Sequence, residues 1–389
     1  MIKLFINGWA ASAGGGLTYL RNVVPHISQR GDVEATVLVS PALRRDLDDF
    51  PRIFFVDPPP SSGVFSRFVQ EQRLLPKLIR NSGAHVLISA GNFALLRSPV
   101  PQILLSRNSL YTSADFIRDL KSRRAYAILA DTHVKAFFAR TSIRAADLTI
   151  APSEAFAAEL TRWSGRNVIA LYHGFDAAQF MSDPSPLPRH VQAQLGEGDD
   201  ALRLLFVSHY NYYRNFETLF RAIPLLKNRL PGTRVKLYLT CQLDSRANPG
   251  AYRAEAAASL LASMLAAGDV VELGTVPYAS LHHLYRACHI YVTPAYAESF
   301  AHPLVEAMSC GLPIVASDIP VHREICGDSA LYFDRFSPEA IAERILEIQA
   351  SQQLAETLSA ASLKRSRDFS WERHVERLVE IAESLVAAV

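Results

Sequence analysis

Residues 290–317, IYVTPAYAESFAHPLVEAMSCGLPIVAS, decide the fold. The apolar runs Ile290–Thr293 and Ile314–Ala316 are short and rich in branched residues, which is typical of buried strands. Between them Pro303–Ser309 predicts a helix, because proline suits a first helical turn, where its missing N–H costs nothing. A strand, a helix and a second strand in this order predict parallel strands joined by a crossover helix.

The same alternation extends in both directions along the chain. Strands are predicted in the first half at Ile2–Ile6, Ala35–Val39, Ile53–Val56, His85–Ile88, Gln102–Leu105, Leu148–Ile150 and Val168–Leu171, and in the second half at Leu202–Ser208, Arg234–Thr240, Val270–Leu273, Ile290–Thr293, Ile314–Ala316 and Leu331–Phe333. Helical patterns fill the intervals, so the predicted class is α/β, with two doubly wound domains. Ligands of such sheets bind beyond the carboxyl ends of the strands, and the cleft between two domains is the expected place.

The domain boundaries follow from a change in amino-acid composition and apolar pattern along the chain. Residues 176–200 are rich in Pro, Gly and acids and lack a periodic apolar pattern, which indicates a linker. We therefore predict an N-terminal domain over 1–175 and a C-terminal domain over 201–369. A last helix is predicted over 370–389, with Ser370 as its N-cap, and we expect it to pack back on the N-terminal domain.

Composition excludes several classes of protein. The chain has 389 residues, 49% of them hydrophobic and 20% charged, as in ordinary globular proteins. A net charge of +2 gives no reason to expect a nucleic-acid partner. Four cysteines without paired spacing form no disulfide framework, and no apolar run approaches the roughly 20 residues of a membrane span. With no signal peptide recognised, we expect a cytoplasmic protein.

Two carboxylates flank the start of the predicted helix at Pro303. Glu306 lies about one turn into the helix, and Glu298 lies on the loop that approaches it. A helix N-terminus favours anions such as phosphate, so acceptor-only carboxylates there suggest a ligand that also carries hydroxyl donors. A nucleotide sugar offers both groups. Alternatively, Glu306 merely complements the helix dipole and Glu298 is solvated.

The surrounding sequence, ESFAHPLVEAMSCGLPIVASDIP at 298–320, resembles the E-x7-E region of the family 4 glycosyltransferases, which are retaining enzymes of the GT-B fold. The resemblance implies two Rossmann-like domains facing a central cleft. It implies that Glu306 binds the donor ribose and Glu298 the hydroxyls of the transferred sugar. Backbone amides of Phe300, Ala301 and His302 are expected at the sugar or phosphates. The family often has glycine where this chain has Ser299 and Ala301, and His302 is either a sugar contact or a filler.

The segment LLFVSHYNYYRNFETLFRA at 204–222 resembles the family's diphosphate-binding loop. Arg214 matches its lysine position, where a guanidinium can form bidentate bonds to phosphate. His209 stands near the usual arginine and would help only if protonated. By this resemblance Arg214 and Glu298 are the expected catalytic residues. The expected donor site comprises these two with His209, Phe300, Ala301, His302 and Glu306, and with Gly15 and Gly16 of the N-terminal domain.

The N-terminal domain resembles the family more loosely. Gly14-Gly15-Gly16 is a strand-to-helix turn suited to phosphate, and Gly15 and Gly16 are expected to face the donor. Where many members have a histidine, this chain has Ser106-Arg107-Asn108. Arg107 cannot accept a proton, but it could hold a phosphate or an anionic sugar. Asn92, Arg107 and Asn108 are therefore the expected acceptor-side residues.

Basic and aromatic residues cluster within 115–145, which suggests either a surface for an anionic membrane or a solvated helix face. Asp46 and Asp48 have D-x-D spacing, but they lie on a predicted surface helix, and no metal or other cofactor is expected.

The sequence thus predicts a retaining, metal-independent hexosyltransferase-type enzyme. It would move a sugar from a nucleotide diphosphate donor to a saccharide or lipid-linked acceptor, in polysaccharide, lipopolysaccharide or glycolipid synthesis at the inner face of the cell membrane. The alternatives are a GT-B nucleotide-sugar epimerase or hydrolase and a non-catalytic sugar-binding protein.

Overall fold

A computed structural model describes residues 1–11, 14–60, 63–196, 200–243 and 252–388. Its strands are β1 (Ile2–Gly8), β2 (Val33–Val39), β3 (Ile53–Val56), β4 (Val86–Ser89), β5 (Gln102–Leu105), β6 (Leu148–Ala151), β7 (Val168–Ala170), β8 (Leu202–Phe206), β9 (Val235–Leu239), β10 (Val270–Glu272), β11 (Ile290–Thr293), β12 (Ile314–Ser317) and β13 (Ala330–Phe333). Each predicted strand is present with ends shifted by at most two residues, since short apolar runs are buried in parallel sheets.

The α-helices are α1 (Gly14–Ser28), α2 (Pro41–Arg45), α3 (Gly63–Ser82), α4 (Ala114–Ser122), α5 (Tyr126–Ala145), α6 (Glu154–Ser164), α7 (Ala177–Ser182), α8 (Arg189–Leu195), α9 (Phe216–Arg229), α10 (Glu255–Ala267), α11 (Tyr278–Arg286), α12 (His302–Ser309), α13 (Pro320–Cys326), α14 (Pro338–Ala350), α15 (Gln352–Ser366) and α16 (Trp371–Ala387). The pattern predicts one helix over Asp115–Arg140, which is wrong. The chain breaks between α4 and α5, where Arg124 adopts a left-handed φ of 53°.

The helices and strands form two compact units. The first comprises 1–112, 129–174 and 369–389, and the second comprises 113–128 and 175–368. The predicted linker, 176–200, contains α7 and α8 and groups with the second unit, while its residues 197–199 lie outside the described part of the chain.

The first unit is built on a seven-stranded parallel sheet in the order β3-β2-β1-β4-β5-β6-β7. Helix α16 packs into the core of this sheet, and its buried apolar side chains include Trp371 and Leu378. Its first residue comes so close to Gly174 that a Cβ on that glycine would lie 2.1 Å from the Trp371 backbone nitrogen. Glycine is therefore required where the chain meets the start of α16.

The second unit is built on a six-stranded parallel sheet in the order β10-β9-β8-β11-β12-β13. In both sheets the first strand in the chain lies inside the sheet, with later strands on either side. The connections therefore leave in opposite directions between β1 and β4 and between β8 and β11, and loops open at these switch points. The predicted class, two α/β domains with parallel sheets, is confirmed.

Candidate functional site

The switch point of the second sheet brings together two of the loops singled out in the sequence. The loop after β8 carries His209 and Arg214, and the loop after β11 carries Glu298. The backbone N–H of Tyr296 donates to the Tyr213 carbonyl at 3.0 Å, which joins the two loops. Adjacent strands with joined loops thus bring residues distant in sequence into one site.

Asn215, which has no role assigned from the sequence, fixes the first of these loops. Its φ of 57° lies in the left-handed region, which asparagine tolerates better than most residues. Its side-chain nitrogen donates to the carbonyls of Pro294, at 3.2 Å, and Arg335, at 2.6 Å. The residue therefore holds the Arg214 loop against the loop that follows β11.

Arg214 and Glu298 form an ion pair through Nη1 and Oε1. Only 14% of the Arg214 side chain and 10% of the Glu298 side chain are exposed. Burial opposes the arginine charge, but Glu298 and nearby tyrosines hold the pKa of Arg214 above its ordinary value. Burial also raises the pKa of Glu298, against the opposing charge of Arg214. The pair fixes one guanidinium and one carboxylate at this edge of the sheet.

Glu306 lies on α12, where 6% of the residue is exposed. The Tyr285 hydroxyl, on α11, donates a 2.8 Å hydrogen bond to its Oε2. Burial raises the pKa of Glu306 to about 7, and the Tyr285 hydrogen bond opposes this rise. The carboxyl is therefore poised between its neutral and ionised forms near neutral pH. The sequence assigns no role to Tyr285.

Tyr291 lies beside the Glu306 contact, because its ring centroid is 5.8 Å from that of Tyr285, whose hydroxyl donates to Glu306. Burial raises the pKa of Tyr291 well above its ordinary value, and the charges of Arg214, Glu306 and Glu298 all act on it. Tyr291 is part of β11, so the three charged residues are grouped around one strand of the second sheet.

The start of α12 has the predicted proline, with Pro303 as the second residue of the helix. Ala301 is the N-cap and has a left-handed φ of 67°, a conformation that favours glycine. Phe300 is buried, and its ring centroid lies 4.9 Å from that of His302. The turn at the start of this helix is therefore formed by Phe300, Ala301 and His302. These are the residues whose backbone amides are expected to contact the donor.

His209 is exposed as a residue, yet packing around its ring and the Arg214 charge lower the pKa of the imidazole to about 4. At neutral pH it is uncharged, so any role beside a diphosphate would be that of a neutral hydrogen-bonding group.

The candidates in the first unit also cluster, although the glycines differ from expectation. Gly15 and Gly16 lie in the first turn of α1 rather than in a loop before it. The Arg107 guanidinium donates to the Gly15 carbonyl at 3.2 Å and to the Ala90 carbonyl. It lies over the Tyr19 ring, with Cζ 4.9 Å from the ring centroid. Burial lowers the pKa of Arg107 to about 10, which leaves it charged at neutral pH.

Asn92 positions Arg107, because its Oδ1 accepts a 2.6 Å hydrogen bond from the Arg107 backbone N–H. The Asn108 side chain instead accepts from the Leu110 N–H at 3.0 Å and caps a short 3-10 turn. The structure thus joins Asn92 to Arg107 and gives Asn108 a local structural contact.

The basic segment 115–145 is divided between the two units. Arg123 bonds Asp119 at 2.7 Å and Glu217 at 2.8 Å, so its charge is paired inside the second unit. Arg118 pairs with Asp115 and Lys135 pairs with Asp131. Among the described helices, none combines the length and apolar character needed to cross a lipid bilayer.

Comparison with known families accounts for most of the chain. The model described as Glycosyl transferases group 1 matches residues 189–365, which include every site residue of the second unit. The model described as Glycosyltransferase Family 4 matches residues 13–179.

Curated relatives match over shorter stretches. An O-antigen chain mannosyltransferase B from Escherichia coli is 38% identical over 105 residues, 27% of this chain and 28% of the relative. A D-inositol 3-phosphate glycosyltransferase from Thermobifida fusca is 29% identical over 240 residues, 60% of this chain and 54% of the relative. The chain thus spans about half or less of the length of these relatives.

Solved structures match over the whole chain. A sucrose-phosphate synthase from Thermosynechococcus elongatus has a TM-score of 0.76 at 19% identity, with 100% of both chains covered. Anabaena HepE in complex with UDP-glucose has a TM-score of 0.72 at 16% identity, covering 99% of this chain and 100% of that one. Likeness at this identity shows the fold alone, which is GT-B.

The motif between Glu298 and Asp318, the two α/β units and the family models over 13–179 and 189–365 agree, and the chain belongs to the family 4 glycosyltransferases.

Proposed function

We propose that this protein transfers a sugar from a nucleotide diphosphate-sugar to an acceptor hydroxyl, with retention of anomeric configuration. The observation that carries the proposal is the buried Arg214–Glu298 pair at the switch point of the second sheet, with Glu306 grouped around the same strand. A cation and carboxylates at one sheet edge suit a ligand that combines phosphate with hydroxyl groups.

In the donor complex, Arg214 and the first turn of α12 hold the diphosphate. Glu306 accepts hydrogen bonds from ribose hydroxyls, and Glu298 accepts from hydroxyls of the transferred sugar. The ion pair in the free protein supports this arrangement, because Glu298 already fixes the guanidinium at the sheet edge. Positioning of this kind lowers the reorganisation needed at the moment of reaction.

The proposed step breaks the bond between the anomeric carbon and the diphosphate oxygen. The acceptor oxygen bonds to that carbon on the same face, and its proton passes to the leaving diphosphate. The enzyme contributes orientation and charge stabilisation, with Arg214 offsetting the charge that develops on the diphosphate. No protein nucleophile is part of this proposal.

We propose further that the reaction proceeds without a metal ion or other cofactor. The support is the guanidinium of Arg214 at the switch point and the positive end of the α12 helix dipole, either of which can face a diphosphate. Adding EDTA should leave the rate of transfer unchanged.

The acceptor is proposed to bind the first unit, where Arg107 has carbonyl contacts but no ion-pairing carboxylate among the described residues. An O-antigen mannosyltransferase among the relatives supports a saccharide or lipid-linked acceptor in cell-surface polysaccharide, lipopolysaccharide or glycolipid synthesis. Four cysteines without paired spacing support a reducing, cytoplasmic location.

Peripheral attachment to the membrane is proposed for an aromatic surface of the first unit. Phe65 and Phe137 are each 68% exposed, and both contact Phe138, with centroids 6.5 and 5.7 Å apart. Exposed aromatic rings next to Lys135 and Arg140 suit an anionic bilayer. Liposome co-sedimentation should be sensitive to salt and weakened by Phe137→Ala, and equal recovery in the supernatant with and without liposomes would oppose attachment.

Calorimetry with UDP, GDP and ADP tests the proposal directly. We expect one nucleotide to bind, and we expect its labelled sugar conjugate to be consumed faster when acceptor saccharides are added. Consumption without any acceptor would indicate an epimerase or hydrolase instead. Binding of free sugar with no nucleotide binding would indicate a non-catalytic sugar-binding protein.

A further inference from the structure

Helix α4 belongs to a different unit from the strands that flank it in the chain. It falls between β5 and β6, which are neighbouring strands of the first sheet, yet 113–128 groups with the second unit. The helix carries Asp115 and Asp119, which are four residues apart and therefore lie on one face. Both carboxylates accept hydrogen bonds from segments of the second unit, one that follows β11 and one that follows β13.

Asp119 accepts two hydrogen bonds, one at each carboxylate oxygen. The Tyr296 hydroxyl donates to Oδ2 at 2.7 Å, and Nε of Arg123 donates to Oδ1 at 2.7 Å. Burial and the Asp119 charge raise the pKa of Tyr296 above its ordinary value, so its hydroxyl remains a donor. Because the acceptor is charged, this hydrogen bond holds the tyrosine more firmly than a neutral one would.

Tyr296 connects α4 to the Arg214–Glu298 ion pair. It lies two residues before Glu298, and its backbone N–H donates to the carbonyl of Tyr213, the residue before Arg214. Its side chain is therefore bound to α4, while its backbone is bound to the loop after β8. A displacement of Tyr296 would move both partners of the ion pair.

Arg123 extends the contact of α4 to the loop after β8. Its Nη1 donates to Oε1 of Glu217 at 2.8 Å, and its guanidinium lies over the Tyr212 ring, with Cζ 4.3 Å from the centroid. Because Tyr212 and Glu217 stand on either side of Arg214 in the sequence, the guanidinium holds this loop at both ends.

Asp115 provides a second attachment. Nε of Arg335 donates to its Oδ2 at 2.7 Å, and the Arg335 carbonyl in turn accepts the 2.6 Å hydrogen bond from Asn215. The acidic face of α4 is thus joined, directly or through Arg123, to three segments of the second unit, which follow β8, β11 and β13.

We propose that α4 supports the donor site, and that Asp119 is a positioning residue that acts through Tyr296 and Arg123. Its part in sugar transfer rests on the proposed function. Without the carboxylate, the loops after β8 and β11 open locally more often, because hydrogen bonds that hold them to α4 are lost. Glu306 is held by Tyr285 on α11, so nucleotide affinity depends less on α4 than the rate of transfer does.

Hydrogen–deuterium exchange of the full chain, followed by mass spectrometry, tests the support directly. In Asp119→Asn and Tyr296→Phe, amides over 207–215 and 294–301 should exchange on the order of 10-fold faster, since a hydrogen bond to a charged group contributes about that factor to local stability. Amides of the first sheet should exchange as they do in wild type.

Two conservative variants serve as matched controls. Asp131→Asn removes an exposed carboxylate on α5, and Tyr126→Phe removes the hydroxyl of an exposed tyrosine. Both should exchange as wild type does over 207–215 and 294–301.

Kinetics and calorimetry measure the effect on the reaction, with UDP, GDP and ADP and their sugar conjugates as probes. Asp119→Asn and Tyr296→Phe should lower kcat about 10-fold and change nucleoside diphosphate affinity by less than about 3-fold, because misplaced groups slow the chemical step more than they weaken binding. A merely structural role would reduce the number of binding sites and leave kcat per binding site unchanged.

Wild-type exchange over both loops in Asp119→Asn and Tyr296→Phe, or wild-type kcat per binding site in both variants, overturns the proposal. If none of the three nucleotides binds the wild-type chain, the proposed function fails, and the exchange measurement still decides whether α4 holds the loops.

Discussion

Each of the two switch points of this molecule carries an arginine–glutamate pair, and the two pairs differ in how closely the charged groups approach. In the second unit Arg214 and Glu298 are in direct contact and largely buried. In the first unit Arg67 and Glu71 stand 3.7 Å apart, and burial raises the pKa of Glu71 to about 7. Direct contact fixes both charged groups of the Arg214–Glu298 pair, whereas at the wider separation the Arg67 charge does not offset the effect of burial on the pKa of Glu71.

The loops after β4 and β11 show a second parallel. Each places a non-glycine residue in the left-handed region, Asn92 with a φ of 65° and Ala301 with a φ of 67°. Asparagine tolerates this conformation, and alanine does so at a cost. The turn in the second unit is therefore the more strained of the two, and it opens the helix that carries Glu306.

The largest expected effect comes from Arg214→Ala. Turnover should fall by roughly 100-fold, because the diphosphate loses its charged partner. Stability should fall by about 3 kcal/mol, because Glu298 is left buried without its cation. Sugar transfer at saturating donor and urea unfolding followed by circular dichroism measure the two losses.

A double variant separates these two effects. Arg214→Leu with Glu298→Leu should recover much of the stability, since replacing a buried pair by apolar groups is often neutral, but none of the turnover. Arg323→Ala, which removes a solvent-exposed partner of Asp318, is the matched control and should change both quantities little. Wild-type turnover in Arg214→Ala would end the assignment of this residue to the site.

The Arg67–Glu71 pair leads to a prediction about how the free energy of unfolding depends on pH. Glu71 has a folded pKa of about 7 against an ordinary value of 4.5. Between these values the folded state binds more protons than the unfolded state, so the free energy of unfolding falls as pH rises from 4.5 to 7. Glu71→Gln removes this term and should gain up to about 3 kcal/mol relative to wild type between pH 4.5 and pH 8.

Tryptophan fluorescence isolates the relevant unit, because Trp9, Trp163 and Trp371 are the tryptophans of the chain and all lie in the first unit. Urea unfolding at several pH values should give parallel profiles for wild type and the exposed Glu376→Gln. If Glu71→Gln also runs parallel to wild type, the carboxyl ionises as readily in the folded protein as in the unfolded chain.

Glu306 in the second unit can be compared with Glu71 in the first. Burial raises the pKa of Glu306 to about 7 as well. Ribose hydroxyls bonded to this carboxyl favour its ionised form, so nucleotide affinity should rise as pH increases from 6 to 8. Glu306→Gln should weaken binding on the order of 10-fold at pH 8 and remove this pH dependence. Calorimetry at three pH values measures both, and a pH dependence retained in Glu306→Gln would assign the titration to another group.

Sequence predicts those features of the fold that depend on local pattern. The apolar runs locate every strand, and Pro303 locates the start of α12, because burial in a parallel sheet and helix initiation leave local signals. The break at Arg124 has no local signal, because the neighbouring Arg123 is held by Glu217, a residue 94 positions away. The local sequence pattern of 115–140 cannot predict a contact with Glu217.

Some features of the candidate site are likewise predicted from the sequence, and others are visible only in the structure. Arg214, Glu298 and Glu306 are predicted from a motif and its resemblance to a family, and they are grouped in the structure. The hydrogen bond from Tyr285 and the burial of Glu71 depend on tertiary packing. On a helical pattern such as α3, a glutamate is expected to face solvent, and only the placement of Phe68 and Phe93 reveals its burial.

The smallest expected effect is the one that most directly compares the two left-handed turns. Ala301→Gly should raise the free energy of unfolding by about 0.5 kcal/mol, since relief of the left-handed cost exceeds the extra freedom of glycine in the unfolded chain. Asn92→Gly should act in the opposite direction and cost about 1 kcal/mol, because it removes the 2.6 Å hydrogen bond to the Arg107 N–H. Circular dichroism measures the first change and tryptophan fluorescence the second during urea unfolding. Changes of the same sign would mean that Ala301 is relaxed in its turn, and the contrast between the two loops would then be one of sequence alone.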